Sequence, residues 1–140
     1  MTDRLDLRLA NDLAEIPRLA EAVEAFFDAR GLPAALAFNF NLALDELLTN
    51  VISYAFPAGG RHEVAVRMAV EGGLVTAEVI DDGLPFDPLT EAKPPVLEGD
   101  IDDRPIGGLG IHFVRTMMDS VRYERRDDRN HLTLVKRAAA

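Results

Sequence analysis

Apolar and polar residues alternate at the start of the chain, where Leu5, Leu7 and Leu9 interleave with Arg4, Asp6 and Arg8. A period of two puts the leucines on one face, so this segment predicts a half-buried strand. From Ile16 the period becomes helical, with Leu19, Val23, Phe26 and Phe27 on one side. Pro17 fits only the first turn of that helix, and Gly31 suits its C-terminal stop. Pro33 opens a second helical pattern, whose stripe is Leu36, Phe40, Leu44, Leu47, Val51 and Ala55. Pro57-Ala58-Gly59-Gly60 ends it. Val64, Val66, Met68 and Val70 then alternate, Glu71-Gly72-Gly73 turns, and Leu74 to Ile80 returns, which predicts a hairpin. Residues 82–106 hold five of the eight prolines and several acids, the mark of a long functional or mobile loop. A third helix is predicted from about Leu109 to Asp119. Two last strands, carrying Val121, Tyr123, Leu132 and Leu134, flank a turn at Asp127-Asp128-Arg129-Asn130. Hairpin-connected strands alternating with helices predict a two-layer α/β sandwich.

Composition narrows the function more than the fold. The 140 residues suit one domain, 1–140, with a core large enough to need no staple. The absence of cysteine excludes thiol catalysis, disulfides and Cys-ligated metals. The charged first residues are unlike a signal peptide, and no run approaches the roughly 18 apolar residues of a membrane span. The expected location is therefore the cytoplasm, with no membrane contact. A net charge of −9 repels nucleic acid backbones, so no direct nucleic acid ligand is expected. The charge is uneven: residues 87–103 carry six acids and one base, Lys93, whereas residues 121–137 carry six bases and three acids.

Three features can carry chemistry. Glu46 and Asn50 lie four apart and share a helix face. Such a pair is ordinary on a solvated face, but beside the stripe of Leu47 and Val51 it also suits a site. There the carboxylate orients or deprotonates a nucleophile, and the amide oxygen is a hard ligand for magnesium. Asp81-Asp82-Gly83 follows an apolar strand, which is a common turn signal. It also suits an Asp that accepts a hydrogen bond from a ligand base, with Gly83 admitting the ligand close to the backbone. Gly107-Gly108-Leu109-Gly110 precedes a helix, either as a flexible loop or to bring backbone N–H groups to an anion. The spacing fits neither a Walker loop nor a dinucleotide fingerprint. The three histidines are too scattered for a metal site, and no serine has a histidine nearby in sequence.

In this order the three features resemble the N, G1 and G2 boxes of the GHKL ATPase superfamily: Glu46 to Asn50, Asp81 to Phe86, and Gly107 to Gly110. Within it, Leu42 to Asn50, Asp81 to Pro88, Arg104 to Ile111 and the ending from Arg122 to Leu134 are similar to bacterial anti-sigma factor serine/threonine kinases. The similarity runs from about Leu5 to Lys136. Pro85, where other GHKL proteins have glycine, is common in that branch, and Tyr54 stands where members often have His. The resemblance implies the Bergerat ATP-binding fold, with a mixed, mostly antiparallel sheet, three helices on one face and an ATP lid at about 84–106. It implies ATP and Mg²⁺ as cofactors, with Asn50 on the metal and Glu46 as general base or orienting group. Asp81 takes the adenine amino group, Gly83 makes room for the base, and Thr133 supports the adenine directly or through water. Gly107, Gly108, Leu109 and Gly110 donate backbone N–H groups to the phosphates, Arg104 reaches the terminal phosphate, and Arg18 contacts a partner.

The function so implied is that of an anti-sigma factor that is also a kinase. It phosphorylates a Ser or Thr of an antagonist with a STAS domain, in a partner-switching system, and homodimers are usual. The alternative is a nucleotide-binding module that acts by occluding its partner, without kinase activity. A sensor-kinase module ranks lower, because residues 1–30 offer one short helix and no histidine. Motor ATPases need large further domains.

Overall fold

The computed structural model describes residues 4–91 and 106–138, and for 91 and 106–110 the backbone alone. Strand β1 (Arg4–Ala10) leads through a single 3₁₀ turn to helix α1 (Ile16–Ala29) and then α2 (Ala34–Tyr54). The hairpin β2 (Glu63–Glu71) and β3 (Leu74–Asp81) follows, then the short α3 (Pro88–Glu91) and α4 (Ile106–Met117). The strands β4 (Ser120–Arg126) and β5 (Arg129–Arg137) end the fold. The order of long elements is the one the periodicity predicts. No described helix is long and apolar enough to cross a membrane.

The five strands lie in the order β1-β2-β3-β5-β4. All four pairings are antiparallel, so no parallel pair of the kind a mixed sheet would hold is present among them. Period two divides each strand. Val64, Val66 and Met68, then Val75, Ala77 and Val79, then Leu132 and Leu134 are buried on one face. They form one core with Leu19, Val23 and Phe27 of α1, Phe40, Leu44, Leu47 and Leu48 of α2, and Ile111 and Val114 of α4. Full burial of each of the larger of these side chains contributes roughly 1.5–3 kcal/mol. Phe27 and Phe40 meet edge to face, with ring centres 5.6 Å apart, and join α1 to α2.

Local signals end the helices where expected. Gly31 takes a φ of +68° after α1, and Pro33 caps α2 with extended backbone. The β4–β5 connection is tighter than the predicted four-residue turn. Arg126 pairs with Arg129, leaving Asp127 and Asp128 as the only loop residues. Both have positive φ, 55° and 60°, as in a type I′ hairpin turn. A side chain in that region is strained, and glycine is not. Asp128→Gly should therefore raise stability by about 0.5–1 kcal/mol, read as a higher urea midpoint at unchanged slope. An unchanged or lower midpoint would count against the turn geometry.

Candidate active site

The inward-facing row of β3 ends on a charge. Asp81 is 2% exposed, and its strand partner in β5, Asn130, is 1% exposed. Asp81 Oδ1 accepts from the backbone N–H of Gly83 at 2.8 Å and from Asn130 Nδ2 at 2.9 Å. Asn130 Nδ2 also donates to the Leu84 carbonyl at 2.8 Å. Its Oδ1 accepts from the Phe86 N–H and Arg125 Nη1, each at 3.2 Å, and from the Tyr123 hydroxyl. Arg125 Nη1 reaches the Gly83 carbonyl too, at 2.8 Å. One amide thus ties the loop after β3 to β4 and β5. Asp81 Oδ2 is the exception: it is buried and has no hydrogen-bond partner among the described residues. Burial pushes the Asp81 carboxyl above its ordinary 3.8, against the hydrogen bonds from Asn130 and Gly83. A buried acceptor left open in this way suits a ligand N–H donor.

Gly83 anchors the same loop to α2. A Cβ there would lie 2.5 Å from the Ala55 carbonyl oxygen and 2.8 Å from the Ala55 Cβ. The Leu84 N–H donates to that carbonyl at 2.9 Å. The space a side chain would need at Gly83 is thus filled by the chain itself, at the end of α2.

Further back on α2, Asn50 is 4% exposed, so it does not belong to a solvated face. Its Nδ2 donates to the Glu46 carbonyl at 2.7 Å and to Glu46 Oε2 at 3.2 Å. That sets the amide orientation and leaves Oδ1, a hard oxygen, for a ligand. Glu46 is half-buried, and burial raises its pKa above the ordinary 4.5. Neighbouring Asp45 adds to the rise, and the Asn50 hydrogen bond opposes it. Asp45 itself is exposed and accepts from the Thr49 hydroxyl at 3.2 Å.

The glycine motif lies inside α4, not ahead of it. The helix begins at Ile106, three residues before the predicted start, so Gly107, Gly108, Leu109 and Gly110 are helical. Side-chain periodicity cannot register glycines, which explains the late prediction. The first-turn N–H groups of a helix have no partner within it and attract anions. Buried Ile111, Val114 and Met118 join α4 to the core, and α4 packs on α2. Arg115 Nη2 donates to the Leu89 carbonyl at 3.0 Å, tying α4 to α3. Arg104 and most of the expected lid lie outside the described residues.

Two expected positions make no hydrogen bond with this cluster among the described residues. Thr133 is opposite Glu78 and Arg122 and alternates with buried Leu132 and Leu134. It therefore faces away from the helices, on the other side of the sheet from Asp81, and cannot support a base held there. Asn130 occupies the neighbouring inward position instead. It reads as a turn residue in sequence, and the available signal was its place on the inward row of β5. Arg18 sits near the start of α1, where it donates to Glu15 at 2.9 Å and to the Arg8 carbonyl at 2.7 Å. The Arg18 guanidinium, with the Ala10 N–H, holds the Glu15 carboxyl down at about 2. Arg18 also lines a cavity of about 730 Å³ with Arg61 and Arg129 and with the acids Glu15, Glu63, Asp81 and Asp82, so this cavity reaches the end of β3. Among the described residues, no group of three His, Asp or Glu is placed to hold a metal.

Residues 9–136 match the family model of the histidine kinase-like ATPase domain. The chain is 37% identical over 108 residues to the serine/threonine-protein kinase BtrW of Bordetella bronchiseptica, covering 76% of this chain and 74% of that one. It is 33% identical over 89 residues to the serine-protein kinase RsbW of Bacillus licheniformis, covering 61% of this chain and 56% of that one. A Mycobacterium tuberculosis chain that holds RsbU and RsbW domains shares the fold over part of its length. The TM-score is 0.64 at 17% identity, over 96% of this chain and 31% of that one. The Acinetobacter baumannii histidine kinase AdeS is similar at a TM-score of 0.54 and 13% identity, over 96% of this chain and 68% of that one.

The open Oδ2 of Asp81 has a consequence for stability. Because the folded pKa is raised, the native state binds the proton more tightly than the unfolded chain does. The carboxylate therefore costs stability as pH rises from 3.8 through the raised value. Asp81→Asn keeps the Oδ1 acceptor and removes the buried charge. It should flatten this part of the pH profile and raise stability at pH 7 relative to pH 4, compared with the native chain, measured by urea unfolding from pH 3 to 8. A variant with the same pH profile as the native chain would mean that the charge is compensated.

Proposed function

The chain belongs to the histidine kinase-like ATPase domain family, and from that premise we propose an anti-sigma factor that is also an ATP-dependent serine/threonine protein kinase. Its substrate in this reading is a Ser or Thr of a STAS-domain antagonist, and its second partner is a sigma factor. The kinase names of the relatives support the activity. The observation that carries the nucleotide site is Asp81 Oδ2, a buried acceptor suited to the exocyclic amino group of adenine.

In this reading each residue has a role that the geometry of the described residues supports or that the family resemblance supplies. Asp81 accepts from the base, and Asn130 and Gly83 hold its other oxygen in place. Asn50 Oδ1 would hold Mg²⁺, an ion that needs few protein ligands and keeps several waters. When bound, the ion neutralises charge on the phosphate oxygens. The first turn of α4, with Gly107, Gly108 and Leu109, supplies N–H groups to the phosphates, whereas the Gly110 N–H lies where the helix bonds to itself, and Arg104 is assigned to the terminal phosphate. Glu46 takes the proton of the attacking hydroxyl. As that oxygen bonds to the γ-phosphorus, the bond to the β–γ bridging oxygen breaks, and ADP leaves with the electron pair. Phosphoryl transfer of this kind rests on positioning and charge. A Glu with a raised pKa is a better proton acceptor than an ordinary one. Arg18 and its cavity form the partner face in this reading, and a homodimer is its assembly.

Glu46→Gln should abolish phosphoryl transfer to a STAS antagonist from labelled ATP, while calorimetry shows ATP binding within about threefold of native. Native transfer should slow as pH falls through a range above 4.5, where Glu46 gains its proton. Retained transfer in Glu46→Gln would remove the base role. A native chain that binds ATP without transfer would favour occlusion alone.

A further inference from the structure

The far end of the α1–α2 pair carries a feature that nucleotide chemistry does not use. A groove of about 860 Å³ runs between the two helices. Its floor includes Phe27 and Leu32, and Phe38 on its wall is 65% exposed. A phenylalanine this exposed beside an apolar floor forms a patch that folding leaves unused. Glu21, Glu24 and Asp28 form the rim, at spacings of three and four on one face of α1. None of the three is in a side-chain ion pair among the described residues, and the lining has no base. Like charges at these spacings repel, so the rim lowers the stability of α1 and the fold gains nothing from it.

We propose that this groove docks an amphipathic helix of a partner protein, with its apolar side on Phe38 and the groove floor and its Lys or Arg side chains on Glu21, Glu24 and Asp28. Charge selects this occupant. The chain's own stretch 87–103 has six acids and one base, so its charge does not complement the rim. The groove also lies clear of the nucleotide site. Phe38 and Asn50 are separated by about 18 Å along α2, at 1.5 Å per residue. A helix seated here leaves Glu46 and Asp81 open, so docking and phosphoryl transfer proceed together. The inference stands whether or not the kinase reading holds.

The test is anisotropy titration of a dye-labelled amphipathic peptide, leucine on one face and lysine on its flanks, with the full chain. Saturable binding is expected. Glu21→Lys with Glu24→Lys and Asp28→Lys should weaken it about tenfold, and Phe38→Ser by a similar factor. Glu71→Lys with Glu124→Lys, on the opposite face of the sheet, should leave it unchanged. The matching peptide with glutamate for lysine should not bind. Thermal unfolding of each variant separates lost docking from lost fold, and Glu21→Gln with Glu24→Gln replaces the triple if that variant unfolds. The proposal is overturned if the Glu71/Glu124 control weakens binding as much as the rim triple does, or if Phe38→Ser has no effect. It is also overturned if sedimentation shows an oligomer that Phe38→Ser dissociates, because a second copy would then fill the groove.

Discussion

The site depends on one buried amide. Asn130 sits where β3 and β5 meet, and it satisfies groups from the loop after β3, from β4 and from Asp81 together. No water-exposed substitute exists for such bonds, since a buried partner left alone costs about 1–3 kcal/mol. The loop from Asp81 to Phe86 is therefore held in one conformation despite having little regular structure. That fixed loop sets Asp81 Oδ2 as an open acceptor, with Gly83 pressed against the end of α2.

The same contact relates the two halves of the site. Asp81 belongs to the sheet, whereas Glu46 and Asn50 belong to a helix, and the two layers slide easily only if nothing pins them. Gly83 on Ala55, with the Leu84 hydrogen bond, pins them at the point where the site lies. The layers therefore present an acceptor and a carboxylate–amide pair in fixed relation. The packing of α4 on α2 adds the glycine-rich first turn to that frame.

Much of this was readable along the chain. Alternation marked β1, β2 and β3, and the stripe from Leu36 to Ala55 marked α2, because burial on one face leaves a period in sequence. Three residues in series, Glu46, Asn50 and Asp81, also proved to be half-buried or buried polar groups. What sequence could not convey was facing and partnership. Thr133 looked like a companion of Asp81, but a strand turns over at every residue, and Thr133 lies on the wrong side. Asn130 looked like a turn residue because a two-residue loop was not foreseen, and the longer turn would have absorbed it. The start of α4 was missed because glycines have no side chain to carry a period. Gly83 was expected to face a ligand, and only the structure shows Ala55 filling the space beside it.

The strand order has one more effect. β3 and β5 are the strands with a hydrogen-bonded neighbour on each side that also carry Asp81 and Asn130, whereas β1 and β4 form the edges. Edges fray at low cost, but central strands open only when most of the domain does. The end that carries Asp81 and Asn130 is thus tied to the centre of the sheet and not to an edge. Any group bound at that acceptor would therefore stabilise the whole domain by mass action, and raising its concentration would raise the unfolding midpoint.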